Sequence, residues 1–168
     1  MLSSEIIERD YLASDALPVR KGPRPKTIVG PLHIQCNGHG DSKHLNELVK
    51  DVLTWPHVER ISSFVNRHIV RVRLEEKATG SDAAAFISDR EFARFLLGAP
   101  TIYLALPLPL ARRAIARRWA EPHYLQSFGL MPAGTVVVYT PKNREELAVC
   151  YSLFSEAYHF ASKLDKRS

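Results

Sequence analysis

The chain has 168 residues, 45% hydrophobic and 24% charged, with a formal net charge of +5. That length holds one core and an arm, and the balance excludes wholesale disorder and fibrous classes. The longest apolar run, Ile102 to Ala111, is broken by Pro107 and Pro109 and falls short of the roughly 20 residues that cross a bilayer. The opening MLSSEIIERDY carries Glu5, Glu8 and Asp10 where a signal peptide needs a basic and then an apolar stretch. Cys36 and Cys150 are too few for a disulfide scaffold and read as free thiols in a reducing compartment. These features predict a soluble, cytoplasmic protein. The basic balance permits an anionic partner without requiring one, and speaks to association, not to fold.

In chain order, residues 4–13 read as a short helix with Ser4 as N-cap and Glu5 and Glu8 in the first turns. From Pro18 to Pro31, four prolines and two glycines predict an extended, irregular arm carrying Arg20, Lys21, Arg24 and Lys26. Asp41 is a candidate cap for a helix through about Thr54, with Leu45, Leu48, Val49 and Val52 as its apolar stripe. Residues 58–64 and 68–74 predict a hairpin, the second strand alternating Val70, Val72 and Leu74 with Arg71 and Arg73. A loop from Lys77 to Asp82 precedes strand candidates at Ala83–Ser88 and Thr101–Leu106. Pro109 opens a helix to Trp119, and GTVVVYT at 134–140 is the clearest strand. Asn143 caps a last helix whose core stripe is Leu147, Tyr151, Phe154, Tyr158 and Ala161. The expected fold class is α+β, a mainly antiparallel sheet covered by helices. Residues 1–31 form the N-terminal helix and basic arm, 32–162 the core and 163–168 a tail.

Two groups of residues could carry chemistry. His33, Cys36, His39, Asp41 and His44 offer imidazoles and a thiolate, which suit zinc, but their spacings match no standard finger with a second half-site. No metal is therefore expected, and His33, His39 and His44 stand as weak candidates only. In RRWAEPHYL, Glu121 and His123 lie two apart, so on an extended segment they share a side. A carboxylate beside an imidazole can raise its basicity and form a general acid–base pair. From spacing alone, a surface salt bridge after the helix is the commoner outcome. Arg112, Arg113, Arg117 and Arg118 could grip phosphate or carboxylate. They lie on different sides of their helix, however, and read as solvated surface. Walker A, GxGxxG, GxSxG and HExxH motifs are missing, so no cofactor is expected. Cys150 sits on the last helix near its core stripe, which suits packing better than nucleophilic chemistry. No signature of sequence-specific nucleic-acid binding is visible.

The order of segments resembles the "luciferase domain" family of fungal and bacterial small α+β proteins, from about Leu17 to Phe160. The arm LPVRKGPRPKTIVGPLHIQ is similar to the family's Leu-Pro-x-Arg-x-Gly-Pro-Arg-Pro opening and its Pro-His-x-Gln element. REFARF, TIYLALPLPLARRAIARRWAEPHYL and MPAGTVVVYTPKNREELAVC resemble its three C-terminal blocks. Where the family has Glu-x-x-His-x-His, this chain keeps Glu91 but has Arg94 and Leu96. Where the family strand has His, this chain has Tyr103. In the Gly-Trp-Gly-Glu-x-His turn it keeps Trp119, Glu121 and His123, with Arg118 and Ala120 in place of the glycines.

The resemblance implies a pocket in which Glu121 and His123 act as the acid–base pair. Glu91, Arg94, Tyr103 and Trp119 would line it, with Arg94 opposing a cation and favouring an anionic ligand. The expected function is binding of an anionic or carbonyl-bearing small molecule, with cofactor-independent isomerase, cyclase or lyase chemistry as its catalytic form. The alternative is a non-catalytic binding or accessory protein whose arm and arginines contact an acidic protein partner.

Overall fold

A computed structural model describes residues 17–62 and 66–163. Its centre is a six-stranded sheet built from β3 (Val58–Ser62), β4 (Ile69–Leu74), β5 (Glu91–Leu96), β6 (Thr101–Ala105), β7 (Ala120–Pro122) and β8 (Thr135–Val138). The spatial order is β3-β4-β5-β6-β8-β7, with every neighbouring pair antiparallel. A second sheet of two short strands, β1 (Thr27–Ile28) and β2 (Ile34–Gln35), forms a hairpin beside it. Three α-helices complete the described residues: α1 (Ser42–Val52), α2 (Leu108–Ala116) and α3 (Arg144–Ala161). The expected α+β class is what is found. No helix among the described residues is long and apolar enough to cross a membrane.

The caps act as the sequence suggests. Asp41 accepts from the Lys43 amide and Asn143 from the Glu146 amide, each satisfying an orphan donor of its helix start. Helix α3 carries Leu147, Tyr151, Phe154, Tyr158 and Ala161 into the core, all buried. Phe154 stacks on Phe95 of β5 at 5.3 Å between ring centroids, and Tyr158 meets the edges of Trp55 and Phe92. The main core thus lies between the helices and one face of the sheet. The other face carries a smaller apolar cluster of Ile87, Leu96, Tyr103, Ala105 and Val137, with Ile69 and Met131 packed against it.

Several expectations need correction. Ala83–Ser88 is not a strand: Ala83–Ala85 form a 3₁₀ turn capped by Asp82, and Ser88 makes only an isolated bridge to Glu91. Three alanines have no β-branch to pack on a pleat, and the Asp82 side chain offers Ala84 an amide acceptor that favours the turn. The strand comes later, as β5. It reads poorly as one because the register shifts between Val72 and Arg73, leaving Phe92 without an opposite residue. Phe92 and Ala93 both enter the main core as a result. The proposed helix at 4–13 and the tail beyond 163 lie outside the described residues.

The proline-rich arm is extended and bonded along the domain. The Arg20 amide donates to the Arg117 carbonyl at 2.9 Å, and the Trp119 indole donates to the Pro18 carbonyl at 2.6 Å. Arg117 and Arg118 reach back to the Leu17 and Gly22 carbonyls. Arg24 spans to the carbonyls of Ala120 and Ile115 and to the Tyr139 hydroxyl. Arg20 is buried, with its guanidinium 5.4 Å over the Tyr139 ring and 3.6 Å from Glu146.

Candidate functional site

Pairing alone lines up a row across the helix-free face. Arg71 opposes Arg94, Arg94 opposes Tyr103, Tyr103 opposes Val137, and Val137 opposes Glu121. Residues directly opposite on one face have Cβ atoms about 4.5–5.5 Å apart, so these side chains are neighbours. His123 follows Glu121 by two and donates its amide to Thr135, which keeps it on the same face. Its ring meets Tyr103 edge-on, at 4.3 Å and 87°.

Glu91 joins this face through the β-bulge. Alternation would send residues three apart to opposite faces, but the extra residue at Phe92 returns Glu91 to the side of Arg94. Its carboxylate is fully buried and grips Arg94 in two parallel bonds: Nε to Oε2 and Nη2 to Oε1, both 2.7 Å. Arg71 Nε adds a third donor at 3.2 Å, and the Ser88 hydroxyl a fourth. That ion pair holds the Arg94 guanidinium above its ordinary value. Glu91 is therefore the anchor of Arg94 and turns no free oxygen to a ligand.

The β1–β2 hairpin lies over the other end of the row. Glu121 accepts from His33 Nε2 at 2.7 Å and Thr27 Oγ1 at 2.9 Å through Oε2, and from the Tyr139 hydroxyl at 2.8 Å through Oε1. Burial pushes its carboxyl up, but the bonds from His33, Tyr139 and Thr27 outweigh that and leave it below the usual carboxylate value. His33 Nδ1 accepts from the Tyr124 amide at 3.2 Å, so Nε2 carries the proton given to Glu121. The His33 carbonyl in turn accepts from Tyr103 at 2.8 Å. Gln35, two residues on, accepts from the Thr140 amide at 2.9 Å, while its own amide donates to the Thr101 hydroxyl at 3.0 Å. His33 and Gln35 thus clamp the hairpin across β6, β8 and β7.

The partner of Glu121 is therefore His33, a residue that sequence spacing offered only as a weak metal candidate. His123 stands beside it, with its ring 5.5 Å from that of His33. His123 Nδ1 accepts from the Leu125 amide at 3.0 Å, capping a 3₁₀ turn at Tyr124–Phe128. The proton then resides on Nε2, which is buried and has no hydrogen-bond partner. Burial, with the nearby His33 and Arg94, pulls the His123 pKa down to about 4. At neutral pH it is an uncharged donor. Tyr103 and Tyr139 are both pushed up to about 12, chiefly by burial.

The face thus brings together Glu91, Arg94, Tyr103, Glu121 and His123, and adds His33, Thr27 and Tyr139. Trp119 is elsewhere: its ring packs in the main core, and it lines a cavity of about 150 Å³ with Pro18, Val19, Lys142 and Val149. The three metal candidates separate. His33 goes to Glu121, His39 bonds the Thr140 hydroxyl at 3.1 Å, and His44 is buried on α1. Among the described residues, no group of three or more His, Cys, Asp or Glu side chains is arranged to hold a metal ion. Cys150 is buried, and burial pushes its thiol well above the ordinary value, as packing requires.

A family model described as "Luciferase domain" matches residues 89–157, from the turn before β5 into α3. The family named by the sequence resemblance is thus the one that matches, and its stretch contains β5, β6, β7 and most residues of the helix-free face. No curated protein and no solved structure matches the chain.

Proposed function

We propose that this chain binds a small anionic or carbonyl-bearing molecule on the helix-free face, with His123 Nε2 and Arg94 as its donors. The observation that carries the reading is the orphan His123 Nε2–H, buried between Tyr103 and His33. Leaving such a donor unmade costs on the order of 1–3 kcal/mol, which an oxygen acceptor would recover. Arg94 supports the same reading. Its Nε and Nη2 are spent on Glu91, and the buried carboxylate fixes the plane in which Nη1 is presented.

In catalytic form, the neutral His123 would donate to oxygen charge developing on a carbonyl, in an isomerase, cyclase or lyase. Glu121 would orient the hairpin in place of abstracting a proton, since both its oxygens are already hydrogen-bonded. The accessory reading, in which the arm grips an acidic protein, has less behind it. Arg20, Arg24, Arg117 and Arg118 each donate to a backbone carbonyl inside the domain.

The test is calorimetric titration of the purified protein with a panel of small carboxylates and aldehydes. A ligand should bind the native chain and lose about tenfold or more in affinity in His123→Phe and in Arg94→Gln, the scale of one buried hydrogen bond to a charged or polar group. Trp119→Phe should bind as the native chain does. A panel without a binder, or His123→Phe binding unchanged, would sink the proposal.

A further inference from the structure

Among the described residues seven large hydrophobic residues are exposed, and five of them lie on two neighbouring loops. Ile28, Val29 and Leu32 surround the turn of the β1–β2 hairpin, while Phe128 and Leu130 flank Gly129 after the 3₁₀ turn. The loops meet where the Tyr124 amide bonds His33, and the hairpin is pinned to the same edge by Thr27 on Glu121. Both are free of formal charge: residues 27–40 and 122–141 contain no Asp, Glu, Lys or Arg in a chain that is 24% charged. A patch so placed and so composed marks an interaction surface.

We propose that these two loops dock the protein on an anionic lipid bilayer. The five residues, between 53% and 69% exposed, present on the order of 500 Å² of apolar surface. That falls short of the roughly 800 Å² per partner that a stable dimer buries. The patch is carried on two turn tips, Gly30-Pro31 and Gly129-Leu130, not in a groove, which suits shallow insertion between headgroups. Charge agrees in sign. The formal net charge is +5, and exposed Lys26 stands at the base of the hairpin with Lys21 further back on the arm. A second copy of the chain would bring the same positive charge to the contact, whereas an anionic leaflet would attract it.

The test is co-sedimentation of the full chain with phosphatidylcholine vesicles, with and without phosphatidylserine. A paired Phe128→Ser/Leu130→Ser variant is compared at matched thermal stability, with molar mass measured in solution. Both positions are exposed, so the variant should keep its fold. Native protein should bind phosphatidylserine vesicles and weaken as salt rises. The variant should lose about tenfold or more in vesicle affinity. Ile28→Ser is the second variant, on the other loop, and should weaken binding in the same direction. Absence of sedimentation with either vesicle overturns the proposal. So does full binding by the Phe128/Leu130 variant, which would leave charge alone as the cause. A native dimer that the variant turns to monomer, without vesicle binding, assigns the patch to a second copy instead.

Discussion

The state of His123 makes a quantitative prediction about acid stability. Its pKa lies near 4 in the folded chain against 6.5 for an ordinary imidazole, so between those values the unfolded chain binds the extra proton. Stability therefore rises with pH across that window and is lost as pH falls through it. Two-state linkage with these two values gives a loss of about 2 kcal/mol between pH 7 and pH 5 from this one residue. The full difference, reached only below pH 4, is roughly 3 kcal/mol at 1.36 kcal/mol per pKa step.

Urea unfolding at pH 7 and pH 5, for the native chain and His123→Phe, isolates the contribution, because the other histidines are common to both. Phenylalanine keeps the edge contact to Tyr103 but gives up the acceptor for the Leu125 amide, so it should be less stable at pH 7. The gap should close by about 2 kcal/mol at pH 5. A native chain and variant that lose stability in parallel would refute the assignment of a neutral, deprotonation-locked His123.

Glu121 adds a second, more acidic stage. Its folded value lies below 4.5, so the stability it contributes is present above the unfolded value and is lost as pH falls from 4.5 through the folded one. Glu121→Gln should flatten the native acid transition below pH 4.5, and thermal melts in that range check it. Glu91→Gln should cost about 2–3 kcal/mol in urea. It removes the charge from a bidentate bond to Arg94 and a contact to Arg71, while the two part-exposed arginines regain some hydration. A loss under about 0.5 kcal/mol would mean that the network is not an anchor. Arg118 sits in the left-handed region with φ of 70°, just past the end of α2, where glycine is usual. Arg118→Gly relieves that strain but gives up the bond to the Gly22 carbonyl, so a net gain of about 0.5–1 kcal/mol is expected in thermal denaturation.

What could be read from the sequence follows from how each element meets its surroundings. Strands β4 and β8 were legible because their valines answer to one clear demand, a helix-packed face in β4 and burial on both faces in β8. Strand β5 was not, because a bulge breaks its alternation and its arginine rests on a buried carboxylate in place of water. The caps at Asp41 and Asn143 are local chemistry and could be named in advance. The Glu121–His33 bond joins residues 88 positions apart, and nothing in spacing marks it. The His33-x-Gln35 spacing was the available signal, since a hairpin that returns a histidine and a glutamine to the sheet must bond across it. Trp119 misled for the opposite reason: two residues before Glu121, it would share that face by alternation, but it precedes β7, follows the left-handed Arg118, and turns its ring into the main core with the indole bonded to the Pro18 carbonyl.

Arg94 and Glu91 have to be considered together. A guanidinium could not sit on this part-buried face without a counter-charge, and the bulge is what places that carboxylate three residues earlier on the same side. The positive charge fixed there acts on its neighbours. It helps keep His123 unprotonated and draws the Tyr103 phenol down against its burial. A cationic ligand on this face would meet repulsion from Arg94 and Arg71, whereas an oxygen anion would meet a guanidinium edge and a neutral imidazole donor with no proton to move. The position that resembles a histidine in the family thus carries, in this chain, a permanent charge whose sign is set independently of pH. Ligand affinity that depends on Arg94 should accordingly stay flat from pH 6 to pH 8, where a histidine in its place would titrate.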